Sequence, residues 1–199
     1  HHRIKNNLQG VAGLLQQTAV RRPEVRAELT EAIGHVQAIA QVYGLQVGAA
    51  GPLDLRNVLS AISGSVQRSH HHVIDVRLAG DAHTRWLLPE SESIPLALTL
   101  NELLTNALRH GTDNTRVGVS VLCDGSKAQL VIRNPGRLGA GLDFAGGKGL
   151  GTGLTLIRSL LPPNGFVFSL CNTDDGWVES RLELMPPVLM PAAQVVSLR

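Results

Sequence analysis

With 199 residues, 43% of them hydrophobic and 17% charged, the chain can bury a core and is not a disordered tail. A balance of 18 Lys and Arg against 16 Asp and Glu, net +2, with 3% aromatics, fits neither the basic face of a nucleic-acid binder nor a base-stacking platform. No apolar run reaches the roughly 18–20 residues that span a bilayer, no signal-peptide stretch follows His1, and Cys123 and Cys171 are too few and too distant for a metal knuckle or disulfide framework. A cytoplasmic, reducing setting is therefore expected, with both cysteines acting as small buried hydrophobes.

The chain opens without methionine, within a helical pattern, and is read as a piece of something longer. Ile4, Leu8, Val11 and Leu15 have coiled-coil-like spacing. Arg21-Arg22-Pro23 interrupts it, because proline suits the first turn of a helix and not its interior. Val25, Leu29, Ile33, Val36 and Ala40 then resume the three-to-four spacing, so residues 1–49 form a helical hairpin. Neither helix buries its stripe alone, and a second copy would complete a four-helix bundle. Small residues at 48–52 mark a boundary. Beyond it the pattern predicts a helix over 55–66, a strand through Val73, Ile74, Val76 and Leu78, and a buried helix over 94–108. Strands over 116–122 and 128–133 follow, then a Gly-rich stretch over 136–153 and a helix over 154–161. A hairpin over 166–170 and 177–184 turns around Asp175-Gly176. The fold class is α+β, with a second domain over 53–189 and an extended tail that begins around Met185 and occupies 190–199.

Three clusters carry potential chemistry. At the head of the hairpin, His2 and Asn6 lie one helical turn apart, flanked by Arg3 and Lys5. A neutral imidazole is a nucleophile and nearby cations suit a phosphoryl group, although the same residues also make an ordinary solvated helix start. Within the apolar helix, Glu102 and Asn106 are one turn apart, with Arg109 and His110 near the same side. Such groups are costly to bury unpartnered. They suit Mg²⁺ and phosphate or, equally, a capping and salt-bridge network. Third, Gly146-Gly147-Lys148-Gly149-Leu150-Gly151-Thr152-Gly153-Leu154 leads into a helix, where backbone N–H groups can close around an anion. Lys148 precedes the GxG, so this is no Walker A loop, and no parallel strand precedes it as in a dinucleotide fingerprint. His70-His71-His72, read as strand, would alternate faces and could not chelate together. Trp86 and Trp177 are read as packing residues.

Taken together, the order of these clusters resembles the sensor histidine kinases of two-component signalling, in the subgroup whose phosphoacceptor box reads HRxKNNLQ. The resemblance runs from His2 to about Leu189. It implies a dimerisation and phosphotransfer hairpin followed by an α/β sandwich of the Bergerat ATP-binding type. By the same resemblance His2 is the phosphoacceptor and Glu102 the general base. Asn106 holds Mg²⁺, Arg109 and His110 touch the phosphates, and Asn134 and Gly136 stand in the first glycine box. Lys148, Gly149, Gly151, Thr152, Gly153 and Leu154 belong to a mobile lid around ATP. The implied partners are a response-regulator receiver domain and a second copy of the chain, with no nucleic acid. Any membrane attachment would come through an upstream region.

Three departures stand out from that pattern. The aspartate that reads the adenine amino group is here Asn134, in Asn134-Pro135-Gly136-Arg137-Leu138-Gly139, which keeps an acceptor oxygen but not the charge. The lid between Arg137 and Lys148 is short, with Phe144 its one aromatic. Arg3 follows the acceptor histidine where most of these kinases have an acid, and Asn6 is placed to orient a water for dephosphorylating the regulator. The alternatives are a phosphotransfer or scaffold protein with a degenerate pocket that does not use ATP, and a serine kinase of the anti-sigma type, which lacks the hairpin.

Overall fold

The computed structural model describes residues 1–47, 51–80, 85–111 and 116–192. Helices α1 (His2–Arg21) and α2 (Arg26–Gln46) form an antiparallel pair around a short 3₁₀ turn, Pro23–Val25. On α1 only Ala12 and Ala19 are buried. Of the expected stripe Ile4 and Val11 are exposed and Leu8 and Leu15 half-buried, while Leu14 and Val20, outside it, are also exposed, so that stripe is only partly covered in the single chain. Helix α2 is packed on more than one side, against α1 and against α3 and α4 introduced below. This is why its buried positions, Ile33, Ala38, Ala40, Val42 and Gln46, do not follow one stripe.

After the hairpin come β1 (Leu53–Asp54), α3 (Leu55–His70), β2 (Ile74–Gly80), β3 (Trp86–Leu88) and α4 (Glu90–His110). Then follow β4 (Val117–Cys123), β5 (Ala128–Pro135), α5 (Thr152–Leu160), β6 (Phe166–Asn172), β7 (Trp177–Leu184) and β8 (Met190–Pro191). The Asp54 carboxylate accepts from the Arg56 N–H and caps α3. The main sheet has the order β2-β4-β5-β7-β6, with β2 and β4 parallel and the other neighbours antiparallel. One face of each central strand is buried: Val117, Val119 and Val121 on β4, Leu130 and Ile132 on β5, Leu182 and Leu184 on β7. The period-two alternation puts these side chains under α3, α4 and α5. The opposite face is polar, with Lys127 paired to Glu183 and the Arg133 guanidinium over the Trp177 ring. Helices on one face of a mixed sheet make an α+β fold.

Several details differ from the sequence-based expectation. A three-stranded sheet, β1-β3-β8, joins the domain entrance to residues 190–191. The segment after Met185 is not extended throughout: Val188 and Leu189 turn back to hydrogen-bond the Met185 carbonyl and are buried, before Met190 pairs with Leu87. His70 ends α3, and His71 is its left-handed cap, so the histidine run is a helix terminus and not a strand. Cys123 is buried, but Cys171 is exposed because it lies on the solvent face of the edge strand β6. Of the predicted boundary at 48–52, residues 48–50 lie outside the described residues.

Candidate nucleotide and phosphotransfer site

Helix α4 lies between the sheet and the hairpin, packed against α2, α3 and α5, which explains why even its polar residues Ser93, Thr99, Asn101 and Glu102 are buried. Burial falls off along its last two turns. Glu102 is buried, Asn106 half-buried, and Arg109 and His110 exposed, so one helical stripe runs from the interior to a mouth.

That stripe forms one wall of an open cavity of about 390 Å³, within the size range of small-molecule sites. Asn106, Arg109 and His110 line it from α4. Asn134 lines it from the end of β5, and Gly149, Gly151, Thr152, Gly153 and Leu154 from the loop into α5. Leu142, Leu170, Val178 and Ser180, which no motif singled out, also line it. Asn134 is buried, and its amide N–H donates to the Pro135 carbonyl at 3.0 Å. Its oxygen has no donor among the described residues. Gly136 and Lys148 do not line the cavity. Gly136 instead lets the β5 loop approach α4: its φ is +146°, and a Cβ would lie 3.0 Å from the His110 carbonyl. Lys148 is exposed and exchanges backbone hydrogen bonds with Asp143, closing a tight turn. Phe144 holds that turn down by packing edge-on against Phe168, centroids 4.5 Å apart.

Gly153 packs directly against α4. A Cβ there would fall inside the contact distance of Glu102 Oε2 and lie 3.4 Å from Asn106 Nδ2. Behind Glu102 lies a second cavity, of about 440 Å³, between the hairpin and α3 and α4. Glu31 and Arg109 border both cavities.

The contact that residue spacing did not reveal is between His35 and Glu102, 67 positions apart. His35 Nε2–H donates to Glu102 Oε1 at 2.6 Å, with the two side chains 24% and 5% exposed. The hydrogen bond to Glu102 raises the His35 pKa. Burial opposes the rise, and the charges of Glu102 and Glu31 add to it. Glu31, His35 and Glu102 each place one ligand-type atom within 4.8 Å of the others. A signal was present in the sequence: Glu31 and His35 are a polar i, i+4 pair beside Gly34, in a helix otherwise read for its apolar stripe. Gly34 marks a close approach, since a Cβ there would lie 3.2 Å from Asn101 Nδ2.

Comparison with known proteins places this geometry. The histidine kinase family HisKA_2 matches residues 1–70. Sensor histidine kinase PdtaS of Mycobacterium tuberculosis H37Rv is 29% identical over 170 residues, and that of Mycolicibacterium smegmatis is 31% identical over the same length. Each alignment covers 81% of this chain and 33% of the relative, so the chain spans about a third of the length of the curated relatives it matches. The histidine kinase domain of the Erythrobacter litoralis EL346 blue-light activated histidine kinase shares the fold. It matches over 92% of this chain and 88% of that one, with a TM-score of 0.63 and 17% identity. Acinetobacter baumannii histidine kinase AdeS does so over 92% and 93%, with a TM-score of 0.58 and 16% identity.

The chain belongs to the sensor histidine kinase family.

In this family member His2 is exposed near the start of α1 and does not line the cavity. The His1 ring stacks on Tyr43 with centroids 5.8 Å apart, and Lys5 runs past Gly44. Tyr43 lies eight residues beyond His35 on α2, which at 1.5 Å per residue puts the His2 end of the hairpin about 12 Å along the helix from Glu102. The structure brings together Glu102, Asn106 and the glycine loop, and leaves His2 at a different level of the hairpin. No described helix of the chain is long and apolar enough to cross a membrane.

Proposed function

We propose that this chain is an ATP-dependent protein-histidine kinase that phosphorylates His2 and passes the group to an aspartate of a response-regulator receiver domain. The observation that carries this reading is the convergence of Asn106, Arg109, Asn134 and the Gly149–Gly153 loop on one open cavity, with Glu102 buried directly behind Gly153. In the reaction, a ring nitrogen of His2 attacks the γ-phosphorus of ATP in line. The bond from that phosphorus to its bridging oxygen breaks, ADP leaves, and Glu102 takes the imidazole proton. A side chain at Gly153 would fill the space beside Glu102 and Asn106, and the oxygen of Asn134 is free to accept from an adenine amino group, so the residues present fit a magnesium nucleotide. Mg²⁺, when bound, supplies neutralisation of phosphate charge. Asn106 would hold it, while Arg109 and His110 meet the phosphates and the N–H groups at the start of α5 favour the anion.

Because His2 sits about 12 Å along α2 from Glu102, the acceptor and the cavity must be brought together by movement of the ATP-binding unit along the hairpin or by a partner protomer. The exposed apolar residues Ile4, Val11 and Leu14 support a homodimer in which a second hairpin completes a four-helix bundle. Asn6, exposed one turn beyond His2, is placed to orient water for removing phosphate from the regulator.

Incubation with ATP radiolabelled at the γ-phosphate tests the assignment. Acid-labile label is expected on the wild-type chain and not on His2→Gln. Label retained by His2→Gln moves the acceptor elsewhere. A wild-type chain that binds no nucleotide, with or without Mg²⁺, leaves a phosphotransfer or scaffold role that does not use ATP.

A further inference from the structure

The reaction proposed above requires an imidazole to approach Glu102, and one is already there, from the wrong helix. His35 on α2 donates to Glu102 Oε1 at 2.6 Å, while the end of the hairpin that bears His2 is about 12 Å away along α2. The carboxylate is 5% exposed, so it has no second open side from which another ring could reach it without displacing the first. The contact also spans the two parts of the chain: α2 belongs to the hairpin and α4 to the ATP-binding unit. Breaking it is a requirement for any relative movement at this point.

We propose that His35 is a resting-state plug on the Glu102 carboxylate, and that its departure frees the base for His2. This inference rests on the reading of Glu102 as the proton acceptor. The charged surroundings are mixed. Glu31 lies one turn before His35, and Arg26 on the same helix lines the cavity alongside. Arg109 faces that cavity from α4 and His70 from α3, while α1 contributes only Gln16, Ala19 and Val20. Burial and then the Arg109 charge lower the His70 pKa from 6.5, which disfavours its charged form. His35 moves the other way, its pKa raised first by the hydrogen bond to Glu102. A group whose pKa is raised in the folded state contributes fully below its ordinary value, 6.5 for His35, and loses that contribution as pH rises through the raised value. The plug is therefore tightest in mild acid and loosens as the medium becomes alkaline.

Two variants and two readouts test this. His35→Gln keeps the size and removes the charge, and His35→Lys stays charged across the range. Initial rates of His2 labelling are followed from about pH 6 to about pH 9, spanning the ordinary histidine range. In parallel, hydrogen exchange is measured for residues 31–38 and 99–106, which needs no catalysis. His35→Gln is expected to label His2 about tenfold faster than wild type in mild acid, the size of a lost charge-assisted hydrogen bond. That advantage should fade towards unity as pH rises, whereas His35→Lys remains slow throughout. Exchange in both segments should rise in His35→Gln, most at low pH. Equal labelling rates for wild type and His35→Gln at every pH, with unchanged exchange, overturn the plug and leave the kinase assignment intact. Raised exchange with no acid-labile phosphate on His2 in any variant overturns the kinase assignment and, with it, the role given to the contact. A zinc-selective chelator that lifts wild type to the His35→Gln rate would show that Glu31, His35 and Glu102 hold a metal ion, and would overturn the proton-borne plug.

Discussion

Replacing Gly153 by alanine sets two physical effects against each other at the second residue of α5. Helix propensity favours alanine by up to about 1 kcal/mol. Against that, the new Cβ would lie 3.2 Å from Glu102 Cδ and inside the contact distance of its Oε2. A free glutamate end could swing away at little cost, but this one is 5% exposed and its other oxygen is held by His35 at 2.6 Å. Forced overpacking of this kind costs about 1–3 kcal/mol, so the clash wins and Gly153→Ala is destabilised by about 1 kcal/mol net. For a chain of this size that is a fall of about 2–4 °C in Tm, read by differential scanning calorimetry. His2 labelling should fall further than stability does, because both Glu102 and Asn106 are displaced. Adding His35→Ala releases the carboxylate, and the cost of Gly153→Ala should then shrink, a coupling of about 0.5–3 kcal/mol for groups in contact. A rise in Tm for Gly153→Ala, with labelling unchanged, would mean that propensity prevailed and that the start of α5 does not press on Glu102.

Two further outcomes follow from the site and the hairpin. Asn134→Ala removes a buried acceptor whose amide side is already used by Pro135, and nucleotide binding measured by titration calorimetry should weaken about tenfold or more; unchanged affinity would place the purine elsewhere. Leu14→Glu puts charge on a residue 66% exposed in the single chain, so the fold measured by circular dichroism should persist while light scattering shows loss of the dimer. A dimer that survives would move the interface away from Leu14.

The long elements were readable because their periodicity is strong. The stripe Leu55, Val58, Leu59 and Ile62 and the alternation Val117, Val119, Val121 each match a helix or strand face in the structure. The small sheet β1-β3-β8 was not readable: strands of two or three residues carry no usable alternation, and Met190 finds Leu87 across about a hundred positions. Within the site, Asn106, Arg109, His110 and the glycine run lie in short contiguous motifs and line one cavity. Leu170, Val178 and Ser180 do not, because ordinary strand residues become cavity walls only when β6 and β7 fold beside β5. His35 escaped for a related reason. On a helix read as half of a bundle, its chemistry depends on a partner 67 residues away. The level of His2 on the hairpin depends on where the loop at Pro23–Val25 sets the register of α1 on α2, which no local pattern states.

Helix α4 serves two masters. Its 21 residues hold Leu100 and Leu104, both fully buried, on the same rod as Glu102 and Asn106. A rigid rod passes any shift at one position to its neighbours, and interiors packed like organic crystals leave little slack to absorb it. Trimming an inward leucine would therefore act at a distance on reaction geometry, and substitutions chosen only for their effect on folding would surface as altered turnover. In this protein the tolerance of the interior to drift is bounded by the accuracy the chemistry demands.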